Sequence, residues 1–370
     1  MPPIRAEHDS TMDRHFEPLR PNRFAGVDDR YEFTHGTNSA CVYDIRTMDF
    51  VKEIPVGVEP DCHATSMSNR WLYMACADGL WLIDQESLEV AKVLDAGHVY
   101  ATNVIPDGDT MLLHDAFGGV FVLKGIEDMG RIHIHKRIDV LGTNTCRDTL
   151  GGKGHFIGGG RYYLCAAWEH GKLFTVDLDD DYAVETFMDT DPRLMMGDDL
   201  VVSRDKARAY VACYHAQSWV AVVDIARREV IKKIPTGSGT CGLTMTNNER
   251  YVIASNDQDD SISVIDTETD MNRQVAKNAK DVGDAEDAKN ARNVRDARLD
   301  EVVATPSARV GFEKLGIRGY IQGISIGRND EVYVYGCSGN GALVRFTDVA
   351  GNGDWAISYP GGKLEFKVQG

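Results

Sequence analysis

AYVACYHAQSWVAVVDIARREVIKKIPTGSG, residues 209–239, decides the fold. Tyr210–Cys213 is a β-type run that ends in polar residues. Trp219–Asp224 is a second such run, ending in Val-Val-Asp, and Glu229–Ile234 is a third, closed by Pro-Thr-Gly. Short alternating runs of β-branched and aromatic residues, separated by turn residues, predict strands joined as hairpins. The same grammar recurs along the chain at 30–45, 71–84, 110–124, 161–177, 250–266 and 331–346. A further strand follows several of these units, as in DFVKEIPVG (49–57) and SLEVAKVLDAG (87–97). A period of roughly 40–50 residues with four strands per unit is the signature of a propeller blade. Seven units predict an all-β chain, a seven-bladed β-propeller of four-stranded antiparallel blades.

The expected organisation is an N-terminal tail at 1–29 and one propeller over 30–370. Residues 268–310 interrupt the pattern. They are rich in Ala, Asn, Asp, Lys and Arg, read as strandless, and predict a flexible charged insertion between blades 6 and 7. The first unit shows its second, third and fourth strands but no obvious innermost one. KLEFKV (363–368) alternates like a strand and is expected either to clasp blade 1 or to complete blade 7.

Composition narrows the function classes. The 370 residues carry a formal charge of −17, which argues against nucleic-acid or anionic-membrane partners, because phosphates need Lys/Arg patches. No apolar run of about 18 residues occurs and the first twenty residues lack a signal-peptide core, so a cytoplasmic location is expected. The 36 glycines exceed the usual ~7% and fit a fold with many tight turns. The eight cysteines include no CxxC pair and read as buried free thiols in a reducing compartment.

The wording of the repeats also resembles a known family. YVACYHAQSWVAVVDIARREVIKKIPTG and YVIASNDQDDSISVIDTET look like YVTN-type β-propeller repeats, with their Tyr-Val strand, Val-x-Val-Ile-Asp strand and closing Ile-Pro-x-Gly. That family includes surface proteins, amine-dehydrogenase heavy chains and haem d1 domains, so the likeness implies the fold more than a function. HATSMSNRWLYMACADGLWLID (63–84) is similar to the part of haem d1 propellers where a histidine precedes an inner strand, which would give His63 the place of an axial ligand.

The histidines supply the candidate site. In an antiparallel blade, the loop into the innermost strand and the loop between the second and third strands open on one face. His63, His98 and His155 fall at the former, and His35, His114, His170 and His215 at the latter, so seven of the eleven histidines share that face. Aligning inner strands by the turn that follows them gives a ring of His63, Tyr100, His155, Asp198, Cys241 and Gln322. Imidazole with carboxylate suits iron, zinc or manganese, and a thiol adds softness for copper or zinc. The seven histidines are the candidate metal ligands, and Tyr100, Asp198 and Glu169 the candidate catalytic groups. Asp61, Asp115, Glu169 and Asp199 are expected to orient imidazoles, and Tyr100, Trp168 and Tyr214 to wall a pocket. His133 and His135 alternate on an outer strand and read as surface residues. Asp257, Asp259 and Asp260 read as a solvated turn. The function expected is a metal-dependent oxidoreductase or lyase acting on a small molecule at the propeller axis, with iron, copper or zinc as cofactor. The alternatives are a redox-partner, heavy-chain-like subunit and a non-catalytic scaffold that offers a propeller face to a protein partner.

Overall fold

In the computed structural model, the described residues are 31–359 and 362–367, less 36–37, 67, 105–107, 143–149, 153, 169, 192–196, 216, 259–260, 268–300, 305–320, 327–330, 337–342 and 348–353. They form antiparallel sheets that follow one another along the chain. The first sheet is Tyr31–His35, Ser39–Asp44 and Phe50–Pro55. The second is Cys62–Thr65, Trp71–Cys76, Gly79–Asp84 and Glu89–Leu94; the third is Val99–Val104, Thr110–Asp115, Gly119–Lys124 and His133–Asp139. The fourth is His155–Ile157, Tyr162–Ala167, Lys172–Asp177 and Ala183–Asp189; the fifth is Gly197–Val202, Arg208–Cys213, Trp219–Asp224 and Glu229–Pro235. The sixth is Thr240–Met245, Tyr251–Asn256, Ser261–Asp266 and Glu301–Ala304. The last is Ile321–Ile326, Val332–Gly336, Leu343–Thr347, Asp354–Tyr359 and Gly362–Lys367.

Each sheet packs face to face on the next. Phe33, Ala40 and Val42 of the first sheet meet Leu72, Met74 and Cys76 of the second. Tyr73 and Ala75 meet Val99 and Met111, and Leu112 and Val120 meet Tyr163 and Cys165. Leu164 and Ala166 meet Val211 and Ala221, and Tyr210 and Val220 meet Leu243 and Val252. Tyr333 of the last sheet packs on Cys41, Tyr43 and Met48 of the first, and Arg345 donates to the Ile45 carbonyl at 2.7 Å, which closes the ring. Second and third strands are covered on both faces and are apolar on both; fourth strands lie on the rim, and Glu89–Leu94 alternates between exposed and half-buried. The fold is a β-propeller of four-stranded antiparallel blades.

The blade count is corrected to six full blades in place of seven. The sheet of Tyr31–Pro55 has three strands among the described residues and begins with the strand that stands second in every other sheet. The C-terminal strand does not clasp it. Gly362–Lys367 pairs with Asp354–Tyr359, from Asp354 with Lys367 to Tyr359 with Gly362, as the fifth strand of the last sheet. The stretch 268–310 is not strandless either. Glu301–Ala304 pairs Asp266 with Glu301 and Val264 with Ala304, so the charged stretch is inserted between the third and fourth strands of the sixth blade. Four residues, Glu-Val-Val-Ala, are too short a run to stand out beside the charged sequence before them.

The repeated Ile-Asp or Val-Asp ending has a physical cause. Asp84 accepts hydrogen bonds from the backbone N–H of Glu86 and Ser87 and pairs with Arg70 at 2.6 Å. Asp177 does the same with Asp179 N and Arg161, and Asp266 pairs with Arg250 at 3.5 Å. The aspartate caps the turn to the fourth strand and ties the third strand to the start of the second. Each arginine also covers the aromatic residue that follows it, Trp71, Tyr162 or Tyr251.

Candidate functional site

First strands of successive sheets lie against one another, so they line the axis. The upper face is defined here as the end where these strands begin and where the second strand turns into the third. The pairing splits the expected ring of six residues into two levels. His63 pairs with Met74, His155 with Leu164, Leu200 with Val211, Leu243 with Ala254 and Ile324 with Val334, each three positions from the turn, so these share one level. Tyr100, Asp198, Cys241 and Gln322 sit instead inside register shifts, between Val99 and Ala101, Gly197 and Leu200, Thr240 and Leu243, and Ile321 and Gly323. A bulge adds residues to one strand only, so counting back from the turn overruns at that point. Such register shifts recur at the upper ends of four inner strands.

Most of the named residues have structural partners in the described chain. His114 is fully buried at the end of its strand; its Nδ1–H donates to the Gly151 carbonyl at 2.9 Å, and its Nε2 accepts from the Tyr163 hydroxyl at 2.7 Å. Both ring nitrogens are used, so this geometry leaves no lone pair for a metal. Burial lowers the His114 pKa to about 4, against the smaller opposing pull of the Gly151 carbonyl, and keeps the ring neutral. Burial raises the Tyr163 phenol well above its ordinary value. Tyr100 donates its hydroxyl to the Leu150 carbonyl at 2.6 Å, so the expected wall residue ties the third sheet to the fourth. His155 is lowered to about 3, by burial first and by the Lys206 charge second, and its Nδ1–H donates to the Phe156 carbonyl at 3.2 Å. His63 is 1% exposed on its inner strand. His98 and His215 are exposed in turns and His170 is half-buried. The side chains of His35, Asp198 and Glu169 lie outside the described residues.

The carboxylates expected behind the imidazoles do other work. Asp115 accepts from Phe117 N and Gly119 N and pairs with Arg137 at 2.6 Å. Asp199, 3% exposed, accepts Leu200 N and, across the blade boundary, Leu243 N, each at 2.9 Å. Among the described residues, no three His, Cys, Asp or Glu side chains gather closely enough to hold a metal ion. The six described cysteines are buried thiols outside any disulfide, as their strand positions imply.

The structure does bring together two of the expected wall residues. Trp168 and Tyr214, from the upper turns of the fourth and fifth sheets, have ring centroids 5.4 Å apart with planes at 42°. Gln258 Nε2 donates to the Tyr214 hydroxyl at 3.0 Å, and Ser238 donates to Gln258 Oε1 at 2.7 Å. Asp257, 6% exposed, stands beside them, and the Tyr214 pKa is raised by burial and by Asp257 in spite of the Gln258 contact. The reading of Asp257 as a solvated residue is therefore corrected: the turn folds it against Gly239, where a Cβ would meet its Oδ1 at 1.9 Å. His215 flanks this cluster, with its Nδ1 accepting from Gln217 N and its ring 6.0 Å from Trp219.

Comparison with known proteins supports the architecture. No protein-family profile matches the chain, and no curated protein sequence matches it. Many solved structures do. Kuenenia stuttgartiensis hydrazine synthase aligns at a TM-score of 0.57 and 14% identity over 87% of this chain and 94% of that one. The dihydro-heme d1 dehydrogenase NirN, solved in complex with DHE, aligns at 0.56 and 13% identity over 95% and 76%. The Cps50 (Swd1) β-propeller domain of Myceliophteria thermophila aligns at 0.52 and 13% identity over 84% and 86%. At these identities the likeness carries the fold alone. The YVTN resemblance remains one of repeat wording. No helix among the described residues is long and apolar enough to cross a membrane.

Proposed function

We propose that the protein is a small-molecule-binding propeller, an enzyme whose ligand lies on the upper face over the fourth to sixth blades. The observation that carries this reading is the Trp168–Tyr214 pair, contributed by two blades and flanked by Asp257, Gln258 and His215. Two half-buried aromatic rings beside a buried carboxylate and an amide give an apolar floor with a few oriented polar groups, the usual make-up of a ligand site. The floor suits a ring-bearing molecule with hydroxyl or amine groups. His215 beside Tyr214, and His170 two residues after Trp168, would serve as proton carriers. A thermal-shift screen of ring-bearing metabolites tests this. Binders should stabilise the wild type and lose their effect in Trp168→Ala and Tyr214→Ala; hits indifferent to both substitutions would overturn it.

Metal-dependent chemistry is the second reading, supported by His63 and His155 holding one level on inner strands. A metal would there act as Lewis acid or redox centre. It would need Asp198, Glu169 or His35 to complete the donor set. Elemental analysis of untagged protein separates the two readings. Stoichiometric iron, copper or zinc that is lost in His63→Ala supports the second; no metal, with ligand binding intact, supports the first alone. If no small molecule binds and a second chain co-purifies, the face is a protein-docking surface in place of an active site.

A further inference from the structure

His133 and His135 lie on His133–Asp139, the outermost strand of the third blade, and both are exposed. Their ring centroids are 6.4 Å apart with planes at 79°. Residues two apart on a strand share a side, and two factors sharpen that arrangement here. First, Val122 faces Lys136 while Leu123 faces Ile134, so His135 is the extra residue of a bulge, which re-aims its side chain. Second, His133 Nδ1–H donates to the Arg131 carbonyl at 2.8 Å. That bond fixes the tautomer with the lone pair on Nε2. A carbonyl behind the imidazole is the usual way a protein prepares a histidine for a metal. The adjacent Lys136 is paired with Asp181 at 2.8 Å and lies over the Tyr182 ring, so its charge is offset locally. Tyr182 stands 6.3 Å from the His135 ring.

We propose that His133 and His135 form a two-histidine chelate for a late first-row divalent metal on the outer rim, apart from the upper face. Two neutral imidazoles select borderline metals over calcium or magnesium, which prefer oxygen. Copper(II) should bind tightest and zinc less tightly, with water or a group from a partner filling the remaining positions. The site does not depend on the ligand proposed above.

Calorimetric titration of untagged protein with copper(II), zinc and magnesium tests this, with the copper spectrum read by electron paramagnetic resonance. One equivalent of copper should bind with nitrogen hyperfine structure, zinc should bind more weakly, and magnesium should give no heat. His133→Ala and His135→Ala should each weaken copper binding by at least about tenfold. His8→Ala, a histidine outside the propeller sequence, should leave it unchanged. Circular dichroism and melting of the two rim variants should match wild type, since both side chains are exposed. Copper binding that is equal in wild type and in the double rim variant would overturn the proposal, as would a wild type that binds neither copper nor zinc.

Discussion

The Asp199 carboxylate accepts the backbone N–H of Leu243 across a blade boundary, at 2.9 Å, while its other oxygen accepts Leu200 N at the same distance. Both N–H groups lie at the bulges of adjacent inner strands, where the ladder no longer supplies them with partners. One buried side chain therefore satisfies two donors that the bulges release, and it links the fifth blade to the sixth beside the axis. Removing it leaves buried donors unpaired, which costs about 1–3 kcal/mol. Asp199→Ala should lower the urea midpoint by a corresponding amount with an unchanged slope, and Asp199→Asn should fall between the two.

His114 makes stability depend on pH. Its folded pKa of about 4 lies below the ordinary histidine value, so between these limits the unfolded chain binds more protons than the native one. The native state is then fully favoured above about pH 6.5 and loses stability as pH falls toward 4, by on the order of 3 kcal/mol from this residue. His155, with a pKa of about 3, acts with the same sign and extends the loss to lower pH. Denaturation midpoints measured from pH 7.5 down to pH 4 should fall steadily. The His114→Gln variant, less stable at neutral pH, should show a flatter profile.

Tyr163 is the hydroxyl partner of that imidazole. Tyr163→Phe keeps the ring packed against Phe156 but leaves His114 Nε2 without its donor. The expected cost is about 1–3 kcal/mol. The histidine's acid-induced loss should also become smaller, because without that donor its native pKa moves back toward the unfolded value. Chemical denaturation at two pH values reads both effects.

Gly239 is the backbone hinge of the aromatic cluster. Its φ is +73°, and an added Cβ would meet Asp257 Oδ1 at 1.9 Å. Gly239→Ala combines left-handed strain with a displaced carboxylate, so it should destabilise by about 1 kcal/mol or more. Ligand binding should weaken more than stability does. The reverse order, an unstable variant with intact binding, would separate this turn from the site.

Much of the architecture was legible in the chain because a blade is a local object. Strand alternation, the Asp that caps several outer turns and the Arg–aromatic pair that opens some of the second strands all act within about twenty residues, as Arg70, Trp71 and Asp84 show. The site was less legible because it depends on contacts between blades. The bulge around Tyr100 follows from pairing with Asp115 and His114, and no local residue type announces it. His114 sits at a loop end that looks open in sequence, yet the next blade brings Tyr163 and Gly151 onto both its nitrogens. Trp168 and Tyr214, which the sequence offers as wall residues, meet ring to ring. Asp257 was not recognised as their neighbour, because nothing in NDQDD shows that the turn packs back on Gly239.

The central claim is that a small molecule binds over Trp168 and Tyr214. Fluorine NMR of protein labelled with 5-fluorotryptophan tests it most directly, since the chain has five tryptophans and Trp168→Phe assigns one of them. On titration with a ring-bearing hit from the screen, the Trp168 resonance should move most, and the shift should vanish in Tyr214→Ala. A ligand that binds while the Trp168 resonance stays unmoved would contradict the account.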